Sequence, residues 1–245
     1  IEVANPGIAG DGSLGIFSAN DAVTVNNGTI NVSGIESVGI YGANDFVSGT
    51  PVSYGTRKID ITHNGIITLT DSKNNYGIYL NNTAVAQSDS NLVLGSGSKI
   101  IMGNNIVTDR SIGITLKNST LTNNGGIIEI GTNGVGIYAE NSKITGNGGV
   151  TKLQEKSVGY TFEGNIDFNA TVGTVQFNGN NTTDASAVYS IGNNSGANTL
   201  VFNTGDIKVN VTNGGVLTVG NIGNNRVLTL NNKIEVGNPT AGTIT

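Results

Sequence analysis

Apolar and polar residues alternate along this chain in short runs, and the runs recur. The pattern apolar, Gly, apolar, then aromatic or Thr occurs as Leu14-Gly15-Ile16-Phe17, Val38-Gly39-Ile40-Tyr41, Tyr76-Gly77-Ile78-Tyr79, Ile112-Gly113-Ile114-Thr115, Val135-Gly136-Ile137-Tyr138 and Val158-Gly159-Tyr160-Thr161. A weaker copy is Ser186-Ala187-Val188-Tyr189. The marker glycines are 24, 38, 36, 23 and 23 residues apart. A unit of about 23 residues, enlarged twice by insertions, accounts for these intervals.

Each unit holds three strand candidates, marked by β-branched alternation and punctuated by Asn and Gly. The first is the Gly-Ile-Tyr run. The second is centred eight residues after the marker glycine, at Val23, Val85, Leu121 and Ile144. The third follows an Asn-Gly or Gly-Gly turn and begins at Gly28, Gly65, Gly126, Gly149 and Gly173. Five residues after the marker glycine stand Asn20, Asn44, Asn82, Asn118 and Asn141, then Gly164 and Gly192. Asn and Gly both tolerate positive φ, so this position reads as a left-handed corner. Stacked corner asparagines can also form a side-chain ladder.

Three strands per turn with short corners predict an all-β fold, a parallel β-helix or β-solenoid with about 23 residues per coil. One coil cannot bury its apolar side alone; stacking at about 4.8 Å closes the core and pairs the backbones. About nine coils make a rod on the order of 40 Å long. The whole chain, 1–245, reads as one domain, regular over 12–177 and looser over 178–245. The insertions fall at 45–57 and 87–97, with a smaller extension at 104–111. In the tail, 207–211, 216–219, 227–230 and 234–236 look like further strands.

Alternation places Val38 with Ile40, Ile112 with Ile114, and Val135 with Ile137 on the inner face. Phe17, Tyr41, Tyr79, Tyr138 and Tyr189 then form an outer line, with Thr115 and Thr161 between. That line is either a surface for sugar rings or a protein partner, or a ladder packed within itself and against its glycines. Glu129 and Lys152 occupy equivalent positions of neighbouring coils and are expected to make a surface ion pair of little worth.

Composition adds to this picture. The chain has 37 Gly, 3 Pro and 12% charged residues, against a usual quarter charged. So much Gly and Asn also suits disorder, but disorder would not keep the alternation in register. The net charge is −5 and the pI near 4.8. The only guanidinium groups are Arg57, Arg110 and Arg226. This balance argues against nucleic acid or an anionic membrane as partner. No apolar run approaches the ~18 residues of a membrane-spanning helix, so no membrane insertion is expected. Absence of cysteine removes disulfides and thiolate ligands, and suits a chain exported unfolded. The chain starts at Ile1 without a signal peptide, and is expected to be a mature piece of something longer.

Chemistry is sparse. His63 is the only histidine; beside Asn64-Gly65 it reads as a turn residue. No nucleophile motif accompanies it. Neither an acidic calcium loop nor a Gly-Gly-x-Gly-x-Asp repeat occurs, so no metal and no cofactor is expected. Polysaccharide-cleaving β-helices gather carboxylates on one face. Here 17 acids are scattered. Asp60 and Asp167 share the strand-two register several coils apart, and the alignment sets no two acids on adjacent coils. The expectation is a protein that is not an enzyme.

The run Gly-Val-Gly-Ile-Tyr-Ala-Glu-Asn-Ser-Lys-Ile-Thr-Gly-Asn-Gly-Gly at 134–149, and its relative at 112–126, resembles coils of bacterial autotransporter passenger domains. The style is that of the very large fusobacterial adhesins of type V secretion. The resemblance covers about 12–177 well and the tail weakly, and it is a repeat style rather than a catalytic signature. It implies a right-handed β-helix displayed outside the outer membrane and exported through a C-terminal barrel. It also implies adhesion, with a host or bacterial surface protein or glycan as partner. On that reading, rigid coils display ligand-binding residues on the two loops: Phe46, Tyr54 and Arg57 on the first, Gln87, Asp89 and Asn91 on the second. Tyr41, Tyr79 and Tyr138 join them from the aromatic line. The alternatives are a purely structural stalk and a polysaccharide-active enzyme. Oligomeric state stays open.

Overall fold

Inward aliphatics recur at every layer of this chain, and the backbone pairs accordingly. The computed structural model describes residues 1–4, 12–19, 22–44, 58–70, 73–82, 90–106, 108–147, 149–154 and 156–163; beyond these it describes the backbone of the strands from 167 to 237. Strand β1 (Glu2–Ala4) comes first. Two pairs follow: β2 (Leu14–Ala19) with β3 (Ala22–Ser33), and β4 (Val38–Ala43) with β5 (Ile59–Leu69). Strands then come in threes. These are β6 (Tyr76–Asn81), β7 (Ser90–Leu94) and β8 (Lys99–Met102), then β9 (Ile112–Lys117), β10 (Thr120–Asn123) and β11 (Ile127–Ile130). Next are β12 (Val135–Glu140), β13 (Lys143–Asn147) and β14 (Val150–Leu153), then β15 (Val158–Glu163), β16 (Asp167–Thr171) and β17 (Thr174–Phe177). The tail adds β18 (Ala187–Ile191), β19 (Thr199–Phe202), β20 (Ile207–Val211), β21 (Thr218–Val219), β22 (Val227–Leu230) and β23 (Ile234–Gly237). Among the described residues there is no helix.

The first strand of each group joins an eight-stranded sheet, in the order β2-β4-β6-β9-β12-β15-β18-β21. The others form a fifteen-stranded sheet with two arms that meet at β5. One arm runs β7-β10-β13-β16-β19-β22 and the other β8-β11-β14-β17-β20-β23. Neighbours are parallel, and Val135 lies against Ile112 on one side and Val158 on the other. The result is an all-β fold of parallel strands in curled sheets, as a β-solenoid requires. Among the described residues there are eight layers of first strands.

Register turns the repeat into apolar columns. Ile30, Ile67, Ile100 and Ile128 follow one another in successive layers. So do Ile61, Leu92, Leu121 and Ile144, and Ile40, Ile78, Ile114 and Ile137. Every member of these columns is at most 2% exposed. Each such side chain contributes roughly 1.5–3 kcal/mol by leaving water.

Four sequence expectations give way here. The Asn-Gly turns before Gly28 and Gly65 are not breaks: β3 and β5 run through them, and a register shift between Asn26 and Thr29, with Asn27 at φ 55°, absorbs the extra residue. The second strand of the third repeat is β7, whose Leu92 takes the column position between Ile61 and Leu121; Val85, where that strand was expected, lies outside the described residues. Residues 90–94, read as loop, are therefore a core strand, with Leu92 and Leu94 fully buried. Tyr189 does not continue the aromatic line. It pairs with Tyr160, while Ser190 pairs with Thr161; a slip of one residue moves a position to the other face.

The fourth concerns the marker glycine, where alternation breaks. A Cβ on Gly39 would meet Val32 and Ile67, and one on Gly136 would meet Ile130, all core side chains. Glycine and the following isoleucine thus both face inward. The residue before the glycine lies in an outer column: Leu14 is 51% exposed, and Tyr76 stacks on Tyr79 at 5.5 Å. Val38, Ile112 and Val135 share that column by register; Val38 and Val135 are nonetheless buried as expected, and Ile112 is half-buried. Only glycine fits at the bend. At Gly15, Gly39, Gly77, Gly113 and Gly136 an added Cβ would stand 2.5–2.7 Å from the next marker glycine's carbonyl oxygen.

The expected corners are formed in part. Asn118 and Asn141 sit at φ 46° and 47°, in the left-handed region. The side-chain ladder also exists: Asn44 Nδ2 donates to Asn82 Oδ1, and Asn82 Nδ2 to the Asn118 carbonyl at 2.8 Å. Asn118 Nδ2 returns a bond of 2.8 Å to the Asn82 carbonyl. Asn20, Gly164 and Gly192 lie outside the described residues.

Candidate functional site

The outer side of the eight-stranded sheet carries two parallel columns of side chains. Phe17, Tyr41, Tyr79, Thr115, Tyr138 and Thr161 make the first, in that order by register. Two residues further along each strand, Ala19, Ala43, Asn81, Lys117, Glu140 and Glu163 make the second. Period-two alternation keeps both columns outside, since Ile114 and Leu116 on either side of Thr115 are fully buried.

The rings pack on one another. Phe17 stacks on Tyr41 at 5.7 Å, and Tyr41 meets Tyr79 edge-on at 5.3 Å. Such pairs contribute about 0.5–1.5 kcal/mol beyond area burial. The ladder reading of this line therefore has direct support, while Phe17 leaves 42% of its surface in water. Asn81 Nδ2 donates to the Tyr41 hydroxyl at 3.4 Å. Burial pushes the Tyr79 phenol upward, and the neighbouring Lys117 ammonium opposes that push.

Polar groups continue the face. Lys117 Nζ lies 3.2 Å from Glu140 Oε2 and also bonds the Tyr79 hydroxyl. The Tyr138 hydroxyl donates to Glu163 Oε2. Burial first, then this carboxylate, raises the Tyr138 phenol well above its ordinary value. Glu140 and Glu163 stand directly opposite each other on neighbouring strands. This corrects the expectation that no two acids meet on adjacent layers. The signal was in the sequence: each glutamate is four residues after its marker glycine. Each is engaged by its own donor.

Thr115 differs from its neighbours. It is 3% exposed, and its Oγ1 has no hydrogen-bond partner. It lies between Tyr79 and Tyr138 in the ring column.

Of the residues expected to bind, Tyr41, Tyr79 and Tyr138 come together on this face. Phe46, Tyr54, Arg57, Gln87 and Asp89 lie outside the described residues. Asn91 belongs to the other sheet. It is no loop residue: it sits in β7, and its Nδ2 donates to Asp60 Oδ1 at 2.9 Å.

His63 is not a turn residue either. It follows Ile59 and Ile61 on the inward parity of β5 and is fully buried. Its layer neighbours are Val25 and Leu94. Nδ1 lies 2.7 Å from Ser98 Oγ, and Nε2 has no partner. Burial lowers its pKa from 6.5 to about 4, so the ring is neutral.

On the arm of third strands, Glu129 lies 2.8 Å from Lys152 and 3.0 Å from Lys99. Burial raises its carboxyl, but hydrogen bonds from the two lysines outweigh this and hold it low. Glu129 and Lys152 edge a cleft of about 130 Å³ that reaches Asn104, Gly131 and Gln154. Among the described residues no cluster of three His, Cys, Asp or Glu could hold a metal ion. No family model matches the chain, and no curated protein or solved structure matches it.

Proposed function

We propose that this chain is a segment of a surface-displayed bacterial adhesin, the passenger of a type V autotransporter. Its fold is then a right-handed parallel β-helix with three strands and about 23 residues per coil. The helix works by display: it holds recognition surfaces outside the cell, where they meet a protein or glycan of a host or of another bacterium. The observation that supports this most is the in-register stacking of layers. Inner columns are mostly aliphatic, with His63, Tyr160 and Phe162 as departures, while the outer positions of equivalent register vary from Phe to Tyr to Thr and from Asn to Lys to Glu. A scaffold of that kind tolerates any outer residue, so outer residues are free to serve binding.

Catalysis is not part of the proposal. Glu140 and Glu163 are the paired acids of the described residues, and both are tied up by Lys117 and Tyr138. A purely structural stalk is the second reading, and the self-packed ring ladder favours it.

The test is a glycan and host-protein binding screen on the 245-residue chain, beside a variant lacking 45–57 and 83–89. The deletion spares β7, which is core. Binding that persists without both loops removes them as the site. No binding to any probe leaves the stalk.

A further inference from the structure

Where the second strand of a layer passes into the third, an Asn–Gly peptide recurs. It stands as Asn27-Gly28 in β3, Asn64-Gly65 in β5 and Asn124-Gly125 between β10 and β11. A fourth, Asn133-Gly134, precedes β12. Such a peptide can react with itself. The glycine nitrogen, once its proton has gone to base, attacks the asparagine Cγ and closes a cyclic imide. The Cγ–Nδ2 bond breaks and ammonia leaves. Water then opens the ring. Cleavage of the new N–Cγ bond gives aspartate; cleavage at the backbone carbonyl gives isoaspartate, with the chain rerouted through Cγ. Glycine suits the step because no Cβ shields the attacking nitrogen. The fold decides which copies react, since the nitrogen must be free and the carboxamide must swing onto it.

Three of the four are restrained. Asn133 is 7% exposed. Its Nδ2 donates to the Asn105 carbonyl at 2.8 Å, and the Gly134 N–H is spent on the Gly131 carbonyl at 3.1 Å. Asn64 is half-buried, and its Oδ1 accepts from the Gly97 N–H at 2.8 Å. Asn124 is exposed but held inside the stack. Its N–H donates to the Leu94 carbonyl at 2.8 Å, and a Cβ on Gly149 of the next layer would stand 2.5 Å from the Gly125 carbonyl oxygen.

Asn27 differs in each respect. It is exposed, and its carboxamide has no hydrogen bond among the described residues. It shares a bulge with Gly28. The ladder to β5 pairs Asn26 with Asn64 and resumes at Thr29 with Ile66, so two residues oppose one and stand outside the register. On its other side β3 pairs only with β1, at Asn31, Val32 and Ser33. Few contacts therefore have to open before the nitrogen meets Cγ.

We propose that Asn27-Gly28 is a self-modification site, converting to aspartate and isoaspartate ahead of the other described Asn–Gly peptides. The reaction consumes only water. Each event adds one negative charge to the net −5. The isoaspartyl link lengthens the backbone by one carbon at a bulge, where no ladder bond fixes the spacing, so the layer stays folded and the chain ages in place. The inference rests on the fold and not on the adhesin reading.

The experiment incubates the full chain at neutral and at mildly alkaline pH and maps its peptides by mass spectrometry, with fragmentation that tells isoaspartate from aspartate. A sample unfolded in urea runs beside it. In the folded chain Asn27 is expected to convert at least about 10-fold faster than Asn64 or Asn133, the margin that a modest local opening cost gives, with Asn124 between. Alkaline pH speeds it, since the nitrogen must lose its proton. In urea the four rates converge. Gly28→Ala is the decisive variant. Its methyl meets only Val25, at 3.4 Å, so the fold is retained, yet it shields the nitrogen. Conversion at Asn27 should fall several-fold while Asn124 is unaffected. An unconverted Asn27, equal rates at Asn27 and Asn64, or the same ranking in urea overturns the proposal. So does undiminished conversion in Gly28→Ala. Loss of the far-UV circular dichroism signal in step with conversion refutes the claim that the bulge absorbs the added carbon.

Discussion

Acid should loosen this fold through His63. The ring is fully buried between Val25 and Leu94, and Nε2 has nothing to donate to. Protonation would place a charge in an apolar layer and leave the Nε2–H without an acceptor, since only Nδ1 has a partner, Ser98 Oγ. The folded pKa is about 4, against 6.5 for a free histidine. The folded state therefore binds fewer protons than the unfolded one between these values. Stability is intact above pH 6.5, falls as the pH drops toward 4, and has lost its full histidine share below that. A fall from 6.5 to about 4, at 1.36 kcal/mol per pH unit, corresponds to roughly 3 kcal/mol. His63→Leu is the matching perturbation, since Leu94 occupies the same column in the next layer. Urea unfolding followed by far-UV circular dichroism, repeated across this pH range, gives stability against pH for both proteins. Subtracting the variant's curve removes the carboxylates common to both. The difference should grow by about 3 kcal/mol from neutral pH to pH 4. Parallel curves for wild type and His63→Leu would show that the ring does not resist protonation, and the argument from burial would fail.

Other residues test other parts of the account. Gly113→Ala should lower the thermal midpoint by the equivalent of ~1–3 kcal/mol, because its Cβ would stand 2.7 Å from the Gly136 carbonyl oxygen. Gly28→Ala meets only Val25 at 3.4 Å, so it should be neutral or stabilise by up to ~1 kcal/mol in the same assay. Ile137→Ala removes a side chain that is 1% exposed and should cost ~2–5 kcal/mol in chemical unfolding; Ile137→Asp should break the layer. Lys152→Ala should cost less than ~1 kcal/mol, and salt should erase the difference, because the Glu129 pair is partly exposed and Lys99 remains.

Which parts of this structure could be read from the sequence follows from how a stacked fold encodes itself. Columns are periodic, so equal offsets from a marker residue find them: Ile137 above Ile114, Glu129 beside Lys152, and Asp60 in register with Asp167 by way of three intervening strands. Offsets fail inside an insertion. Counting eight from Gly77 lands on Val85, whereas the strand that fills the layer starts at Ser90, because burial of Leu92 and Leu94 fixes the register and spacing does not. His63 was missed for another reason. Its chain neighbours Asn64 and Gly65 suggest a turn, yet its parity with Ile59 and Ile61 sends it inward, and in a continuous strand parity prevails. The marker glycines show what parity itself cannot see: two successive inward residues look like ordinary alternation until a Cβ is placed against the next layer's carbonyl. Glu140 and Glu163 were legible and overlooked, since they occupy one offset in consecutive repeats. Thr115 lies between these cases. Its position in the ring column follows from the repeat, but its unpartnered hydroxyl is a property of packing. Site and scaffold therefore separate by direction. Inner positions are dictated by the stacking and recover their own pattern; outer positions carry whatever the surroundings select, and only their three-dimensional neighbours say what they do.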